Sequence, residues 1–442
     1  MNKFLIILLM ALFYNIFSKK IKIILIAGFL TQITYAKNAK EIFDNIVKSV
    51  VFVESEKGKN TKVSHYGTGF IVKKDDFNTY IATSYSILAN QLSIKSSKSC
   101  TIIDKDNTKH SAAVVWVDVI NDIALLKIEK NINFPSLILN SKSSPQRGDE
   151  IFHIGFSKDQ NLEIINGLFN GIRNYSSKEL IVSSNPLSNG MSGGPTLNKS
   201  GEVIGINLAT IKGKRNNHFS TPIKFLETIL RKFQNKKFDF KKNILNQVDF
   251  AQKKIEYSFH QEEFNKEPNL LGHWQLNNLK RMFKCKQDSK DKTSFLSTTR
   301  YCRSEPIVNI NSQLKLSGII IKYKRYLIKK SSHLNILNYA YNKNKSIEND
   351  FFDGKELPDI FGSQNCFSSF QKNRTGVTFK LNTCIRAIKY FTNIFETIVT
   401  ATSLLGNNDI LTIKYVFNGV SAAVTRKILK QELQSIKLIS YD

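Results

Sequence analysis

Residues 189–197 (NGMSGGPTL) and residues 201–207 (GEVIGIN) form the stretch that decides the fold of this chain. Ser192 is flanked by Gly190 and Gly193, and glycine tolerates the positive φ angles that a sharp turn requires. Such a turn points the N–H groups of Gly190 and Ser192 at one spot beside the hydroxyl, as in a nucleophile with its oxyanion hole. A Gly-rich hairpin with a chance serine is the alternative, and the apolar strand that follows argues against it.

At these residues the sequence resembles the trypsin-like serine peptidases of chymotrypsin fold, and within them the bacterial DegP/HtrA-like branch. The resemblance covers about residues 39–232, a little under half of the chain. It implies an all-β domain of two six-stranded antiparallel barrels, with an active site in the cleft between them. We therefore expect a trypsin-like serine peptidase domain at residues 39–234.

The pattern of apolar residues agrees with this architecture. Short β-branched or alternating segments follow one another with turn signals about every eight to twelve residues, which favours antiparallel barrels. A short amphipathic helix is predicted at residues 39–47 and a closing helix at residues 226–233. The predicted strands are 49–54, 67–72, 79–83, 112–117, 123–128, 150–155, 162–172, 179–183, 202–208 and 219–223.

A peptidase of this type needs a serine that attacks, a histidine that takes its proton and a buried aspartate that orients the histidine. The resemblance assigns the nucleophile to Ser192. It assigns the orienting acid to Asp122, because residues 121–127 (NDIALLK) match the strand that carries this acid in the family. A turn residue that caps a strand is the alternative for Asp122.

The histidine position departs from the family pattern. Residues 81–88 (IATSYSIL) match the family's Ile-x-Thr-Asn-x-His-Val, and this alignment puts Ser86 where the general base belongs. A serine hydroxyl cannot accept a proton near neutral pH, so it cannot activate Ser192 by the usual route. Losing the histidine of such a triad lowers turnover by about 10⁶ and leaves roughly 10³–10⁴ over water. We expect hydrolysis that is lost or residual.

Among the seven histidines, His65 is the one candidate for a surrogate base. If residues 73–78 form the turn of a hairpin, antiparallel pairing brings His65 to the neighbourhood of Ser86. A plain surface role is the alternative for this histidine. The resemblance also implies a substrate pocket without an acidic residue, which suits small or apolar side chains. Its predicted lining is residues 186–189, Leu208, Ala209, Thr210 and His218.

Residues 1–36 look like an export signal. They carry two apolar runs, residues 4–17 and 23–30, with basic residues between them and Thr34-Tyr35-Ala36 at the end. Each run is shorter than a comfortable membrane span. This pattern predicts a cleaved signal peptide ending near Ala36, with an N-terminal membrane anchor as the alternative. We expect an exported protein, periplasmic or secreted.

Cysteine use agrees with export, because four of the five cysteines lie in the second half of the chain. Four cysteines allow three connectivities, and we prefer the one that joins neighbours in sequence, Cys285–Cys302 and Cys366–Cys384. No pair has the spacing of zinc ligands, so neither a metal site nor a cofactor is expected. Cys100 is predicted to be a buried or loop thiol.

Lysine and arginine number 64 against 36 aspartate and glutamate residues, a net charge of +28. The positive charges are spread along the chain, so a compositional bias explains them better than a nucleic-acid site does, and an anionic membrane surface is the further partner class they allow. Residues 235–265 are Lys-rich and polar, which predicts a basic linker or an exposed helix. Residues 266–442 are predicted to form a separate, disulfide-bearing α+β domain that lacks the PDZ-type loop of DegP/HtrA relatives.

Three functions are consistent with these observations. The first is an exported peptidase homologue, a pseudopeptidase or very weak hydrolase, that binds polypeptide in the cleft between the barrels. The second is an active serine endopeptidase in which Ser192 uses a displaced base such as His65. The third is an envelope interaction protein that acts through the C-terminal domain. The sequence alone leaves the substrate and the oligomeric state open.

Overall fold

We analysed a computed structural model of the chain. The residues it describes are 38–55, 65–89, 99–142, 145–175, 178–184, 187–208, 218–233, 238–261, 269–277, 279, 283–292, 295–304, 307–311, 314–329, 359–404 and 408–439. The predicted signal peptide, and Ala209 and Thr210 of the predicted pocket, lie outside these ranges. Within them, no helix combines the length and the apolar character needed to cross a membrane.

The first barrel begins after helix α1 (Ala39–Ile46), whose N-terminus is a capping box formed by Asn38 and Glu41. Its six strands close in the order β1-β2-β3-β6-β5-β4, and every pair is antiparallel. Alternate side chains of these β-branched strands fill the interior, as the period of two requires. The strands are β1 (Val50–Ser55), β2 (Tyr66–Lys74), β3 (Thr79–Thr83), β4 (Ser99–Ile103), β5 (Lys109–Asp118) and β6 (Ile123–Ile128).

The second barrel closes in the order β10-β11-β12-β9-β8-β7, again with antiparallel pairs throughout. Two helices directly follow barrel strands: the short α2 (Tyr85–Leu88) follows β3, and α3 (Lys224–Lys232) follows β12. The strands are β7 (Glu150–Phe156), β8 (Leu162–Tyr175), β9 (Lys178–Ser183), β10 (Pro195–Leu197), β11 (Val203–Asn207) and β12 (His218–Pro222).

The predicted pair of six-stranded antiparallel barrels is confirmed. Three elements were not predicted: β4, β10 and α2. β4 follows a polar stretch rich in serine and lysine, and β10 has only three residues and begins with a proline. A four-residue helix such as α2 shows too little of the 3.6-residue period to be recognised.

The C-terminal domain is built on a seven-stranded antiparallel sheet in the order β15-β16-β19-β23-β22-β21-β20. Both predicted disulfides occur as cross-strand pairs, Cys285–Cys302 between β15 and β16 and Cys366–Cys384 between β20 and β21, each with a Cα–Cα distance of 4.1 Å. The strands of this sheet are β15 (Phe283–Asp291), β16 (Phe295–Ser304), β19 (Gly318–Ile328), β20 (Phe361–Lys372), β21 (Thr378–Ile388), β22 (Ile394–Ser403) and β23 (Asp409–Ser421).

A hairpin and a helix lie near the C-terminal end of this domain. β22 and β23 form the hairpin, and α5 (Ala422–Ser435) follows directly, with Ser421 capping its first turn. Two small sheets complete the domain. They consist of β13 (Asn269–Leu271), β14 (Trp274–Leu276) and β24 (Lys437–Leu438), and of β17 (Val308–Asn309) with β18 (Lys315–Leu316).

The Lys-rich segment at 235–265 contains a 22-residue helix, α4 (Phe240–Gln261). Its apolar residues recur every three or four positions and lie on one buried face: Phe240, Ile244, Val248, Ala251, Ile255 and Phe259. That face belongs to one continuous apolar core that also includes residues of the first barrel and of the C-terminal domain. The helix therefore packs on both, while its lysines cover the outer face.

Polar contacts of Gln247 and Tyr85 reinforce this junction. The Gln247 side chain of α4 accepts from the Val119 N–H (2.8 Å) and donates to the Val117 carbonyl (2.9 Å) at the end of β5. The Tyr85 hydroxyl of α2 donates to the Ile310 carbonyl of the C-terminal domain at 2.6 Å. The C-terminal half thus contacts the short helix that carries Ser86.

Replacing Gln247 with alanine should lower the free energy of unfolding by about 2 kcal/mol, because two backbone groups of β5 lose their partner. Urea denaturation followed by circular dichroism measures the change. Asn246→Ala is the matched control, since Asn246 is the exposed neighbour on the same helix and should shift stability by less than about 0.5 kcal/mol. Equal effects of both substitutions would show that the Gln247 contacts do not stabilise the junction.

Candidate functional site

The predicted nucleophile lies in a loop that turns sharply at two glycines, Gly190 (φ +102°) and Gly193 (φ +87°). A side chain at Gly193 would place its Cβ 2.2 Å from the Thr68 carbonyl and 2.4 Å from the Thr83 hydroxyl. Only glycine fits there, because real Cβ atoms do not approach other atoms so closely. The loop before β10 is therefore pressed against the first barrel, and Ser192 stands at the boundary between the two barrels.

Hydrogen bonds from both barrels fix this loop. From the first barrel, Thr68 donates its N–H to the Ser192 carbonyl (2.8 Å) and its hydroxyl to the Gly190 carbonyl (2.9 Å). On the other side, the Gly193 N–H donates to the Asn207 carbonyl of β11 (2.8 Å) and the Gly194 N–H to the Met191 carbonyl (3.1 Å).

Two N–H groups of the loop are left over. In the part of the chain that the structure describes, neither Gly190 nor Ser192 donates its backbone N–H to a protein acceptor. These are the two amides predicted for the oxyanion hole. Buried or cleft-facing amides are nearly always paired, so two neighbouring amides kept without a partner are suited to receive an external oxygen.

The predicted acid and Ser86 are in direct contact. Asp122 occupies the turn between β5 and β6 with φ +61°, a left-handed conformation that aspartate tolerates. Its Oδ1 accepts from the Ser86 N–H (2.7 Å), and its Oδ2 accepts from the Ser86 hydroxyl (3.0 Å). The Asp122 carbonyl in turn accepts from the Tyr85 N–H at 3.3 Å. The first turn of α2 is thus held on the acid.

The environment of Asp122 disfavours its charge. Burial raises the pKa of this carboxyl above its usual value, while Lys178 and the two hydrogen bonds from Ser86 act in the opposite direction. In a triad, the histidine would supply a positive charge next to this carboxylate as it takes the proton. Serine supplies two hydrogen bonds and no charge.

The nucleophile loop and the Ser86 helix are neighbours in space. A Cβ built on Gly193 would lie 2.7 Å from the Ser84 N–H, and one built on Gly67 would lie 2.9 Å from the Ser192 carbonyl and 2.2 Å from the Ile87 side chain. The structure therefore places the loop of Ser192 beside the helix that carries Ser86, and Ser86 in turn contacts Asp122.

His65 lies just before β2, where its backbone exchanges hydrogen bonds with Ser55 at 2.8 and 3.0 Å. Its side chain is exposed. The register used to place it near Ser86 holds only as far as the pair Gly69–Thr83, because the chain then leaves the ladder to form α2. The pairing that suggested a surrogate base thus ends before it reaches Ser86.

Of the described residues of the predicted pocket, Leu187, Leu208 and His218 are buried, whereas Ser188 and Asn189 are exposed. The Leu208 N–H donates to the Phe219 carbonyl (3.0 Å), and His218 Nε2 accepts from the Leu187 N–H. His218 is buried, and loss of hydration lowers its pKa to about 4, so the imidazole is neutral near pH 7. Its Nδ1 has no hydrogen-bond partner among the described residues.

Sequence reasoning missed a second buried histidine in this barrel. His153 of β7 bonds through Nδ1 to Asn207 Oδ1 (2.9 Å), and burial lowers its pKa to about 4. Thr196 Oγ1 lies 2.8 Å from the same Asn207 oxygen and 2.7 Å from Ser220 Oγ. No motif surrounds His153, and its one signal is its place between apolar neighbours in a strand. Among the described residues, no cluster of histidine, cysteine or carboxylate side chains could hold a metal ion.

Comparison with known proteins agrees with this geometry. Residues 67–206 match the family model described as a trypsin-like peptidase domain. The magnetosome formation protease MamE of Paramagnetospirillum magneticum is 30% identical over 154 residues, which are 33% of this chain and 20% of that protein. A probable periplasmic serine endoprotease, DegP-like, of Pseudomonas fulva is 27% identical over 172 residues, 38% of this chain and 34% of that one.

Further matches also cover less than half of this chain. Serine protease HTRA1B of Danio rerio is 29% identical over 194 residues, 41% of this chain and 38% of that protein. The crystal structure of the serine endoprotease from Yersinia pestis superposes with a TM-score of 0.37 at 21% identity, over 44% of this chain and 66% of that one. The chain spans between a fifth and two fifths of the length of these three curated relatives. Over residues 67–206, the two-barrel domain of this chain is thus similar to the trypsin-like peptidase domain.

Proposed function

We propose that this chain is an exported peptidase homologue whose cleft binds extended polypeptide and whose hydrolysis is lost or residual. One observation carries the proposal. Ser86 donates its hydroxyl and its N–H to the two oxygens of Asp122, at the position where a triad has its imidazole. A serine can satisfy the acid in this way, but it cannot take the proton of Ser192 near neutral pH.

Retention of the rest of the cleft supports binding. The loop of Ser192 is anchored to both barrels by Thr68 and Asn207, and the amides of Gly190 and Ser192 have no protein acceptor among the described residues. A site that had lost all contact with ligands would gain stability by pairing these amides internally. Their availability suits the carbonyl oxygen of a bound peptide.

Two further observations support export. Two of the curated relatives are named as probable periplasmic serine endoproteases. The two disulfides of the C-terminal domain are of the kind that persist in oxidising compartments. We therefore place the protein outside the cytoplasm, with polypeptide as its ligand.

The enzyme alternative requires a base other than Ser86. His65 is the candidate of that hypothesis, and its exposed position just before β2 puts it in the same barrel as Asp122. Both oxygens of Asp122 are engaged by Ser86, so a displaced histidine would have to work without the orienting acid. This favours residual activity over an efficient endopeptidase.

Labelling with a fluorophosphonate probe tests the proposal, since the probe reacts only with an activated serine. We expect no labelling of the wild-type protein. Ser86→His should label, because the new imidazole would take over the bonds to Asp122 and act as general base. Its peptidase activity should exceed that of the wild type by about 10³-fold or more.

Two controls make the outcome decisive. Ser192→Ala combined with Ser86→His must abolish labelling, which assigns the signal to this serine. Wild-type labelling that is lost in Ser192→Ala and in His65→Ala would establish the enzyme alternative. If Ser86→His folds as judged by circular dichroism but stays silent, the cleft lacks more than its base and the proposal of a preserved site fails.

The ionisation of Asp122 should make the stability of the folded protein depend on pH in a defined direction. Because burial holds the pKa of Asp122 above its usual value of 3.8, the folded state binds this proton more tightly than the unfolded state does. The stability that this tighter proton binding contributes is therefore lost as pH rises through the pKa of Asp122 in the folded state. Replacing the residue with asparagine removes the effect, so the stability of Asp122→Asn relative to wild type should increase between pH 4 and pH 8.

Urea unfolding of both proteins across this pH range measures the difference. Asp76→Asn, which removes an exposed carboxylate in the turn after β2, controls for the loss of one surface charge. If the difference between Asp122→Asn and wild type runs the other way, becoming less favourable towards pH 8, then the hydrogen bonds from Ser86 outweigh the burial of this carboxylate.

A further inference from the structure

We propose that β20 is a docking edge at which two copies of this chain pair their C-terminal sheets. β20 is the last strand of the seven-stranded sheet, next to β21 and opposite the other outer strand, β15. Within the described residues, no strand pairs with its outer side. A strand in this position presents a row of N–H and C=O groups that can form a ladder with another strand.

β20 is a long strand, and its side chains are exposed on both faces of the sheet. Residues 365–370 are exposed without interruption, although side chains of a strand alternate between the two faces of a sheet. Phe367 and Phe370, which point to opposite faces because they are three residues apart, are 57% and 67% exposed. Large aromatic side chains exposed on both sides of one strand are unusual for a monomer surface and typical of a contact surface.

The two outer strands of the sheet differ sharply in charge. Five of the nine residues of β15 are charged: Lys284, Lys286, Asp288, Lys290 and Asp291. Charged side chains, lysine above all, are a common means of preventing pairing at an edge. In contrast, residues 361–371 of β20 contain no charged residue, in a chain whose net charge is +28. One edge is protected against pairing and the other is not.

A disulfide fixes the unprotected edge in place. Cys366 lies in the middle of β20 and is bonded to Cys384 of β21, and Ser368 Oγ donates to Asn382 Oδ1 across the same pair of strands at 2.7 Å. The strand therefore cannot fray away from the sheet. A strand that is rigid before it binds loses less conformational entropy on pairing.

The charge pattern favours a second copy of this chain as the occupant. A two-fold axis perpendicular to the sheet would pair β20 antiparallel with itself and bring the uncharged residues of one copy against those of the other. Lysine and arginine outnumber aspartate and glutamate 64 to 36 in this chain, so an uncharged strand is a place where two copies can meet without setting lysines against each other. Self-pairing also covers Phe367 and Phe370, and it joins the two sheets into one.

Sedimentation velocity of the full chain with its disulfides intact tests this inference. We expect a dimer for the wild type. The double variant Phe367→Lys, Phe370→Lys should weaken the dimer by about a hundredfold or more, because charges then face their own copies across the axis. Gln287→Lys, at an exposed position of β15, is the matched control and should leave the dimer unchanged.

A photo-crosslinking residue provides a readout that does not depend on a disruptive substitution. Placed at Ser369 of β20, p-benzoylphenylalanine should give a covalent dimer, whereas the same group at Gln287 should not. A wild-type protein that stays monomeric up to about 100 µM, or a dimer that survives both lysines, would overturn the inference. A monomer that crosslinks from Ser369 to a foreign extended peptide would equally exclude self-pairing. None of these outcomes depends on the chemistry of Ser192.

Discussion

The close approach of two backbones at Gly193 is the constraint on which the cleft depends. Any side chain at this position would collide with the Thr68 carbonyl and the Thr83 hydroxyl of the first barrel. At the same time the Gly193 N–H donates to Asn207 of the second barrel, and Thr68 donates to the Ser192 carbonyl. The two barrels therefore meet at the nucleophile itself. The position of Ser192 follows from this contact and does not require the triad to be complete.

Because the contact between the barrels sets the position of Ser192, the shape of the site does not depend on a histidine at position 86. Ser86 fills the place of the imidazole and satisfies both oxygens of Asp122, so no acceptor of the partly buried acid is left unpaired. An unsatisfied buried carboxylate would be costly, whereas a missing proton acceptor has no effect on folding. A serine at position 86 is thus compatible with a stable domain.

The sequence predicted the barrels well because their information is local. Alternation of apolar residues marks each long strand, and the glycines around Ser192 specify a backbone that few other residues could adopt. The strand pairing that we used to place His65 near Ser86 does not reach Ser86, and the reason is different. The ladder of β2 and β3 stops at Gly69–Thr83, where α2 begins, and a helix of four residues leaves no periodic signal. The pairing order of the C-terminal sheet is harder still to predict from the sequence, since β19 pairs with β23 across a long intervening segment.

The helix α4 shows what the C-terminal half adds to the barrels. Its lysines suggested a basic linker or an exposed helix. The segment contains a helix, and the apolar residues of that helix belong to one core shared with the first barrel and the C-terminal sheet. Through Gln247 it binds the end of β5, four residues before Asp122, and through Ile310 the C-terminal domain binds Tyr85, the residue before Ser86. Both sides of the Asp122–Ser86 contact are therefore held by the C-terminal half.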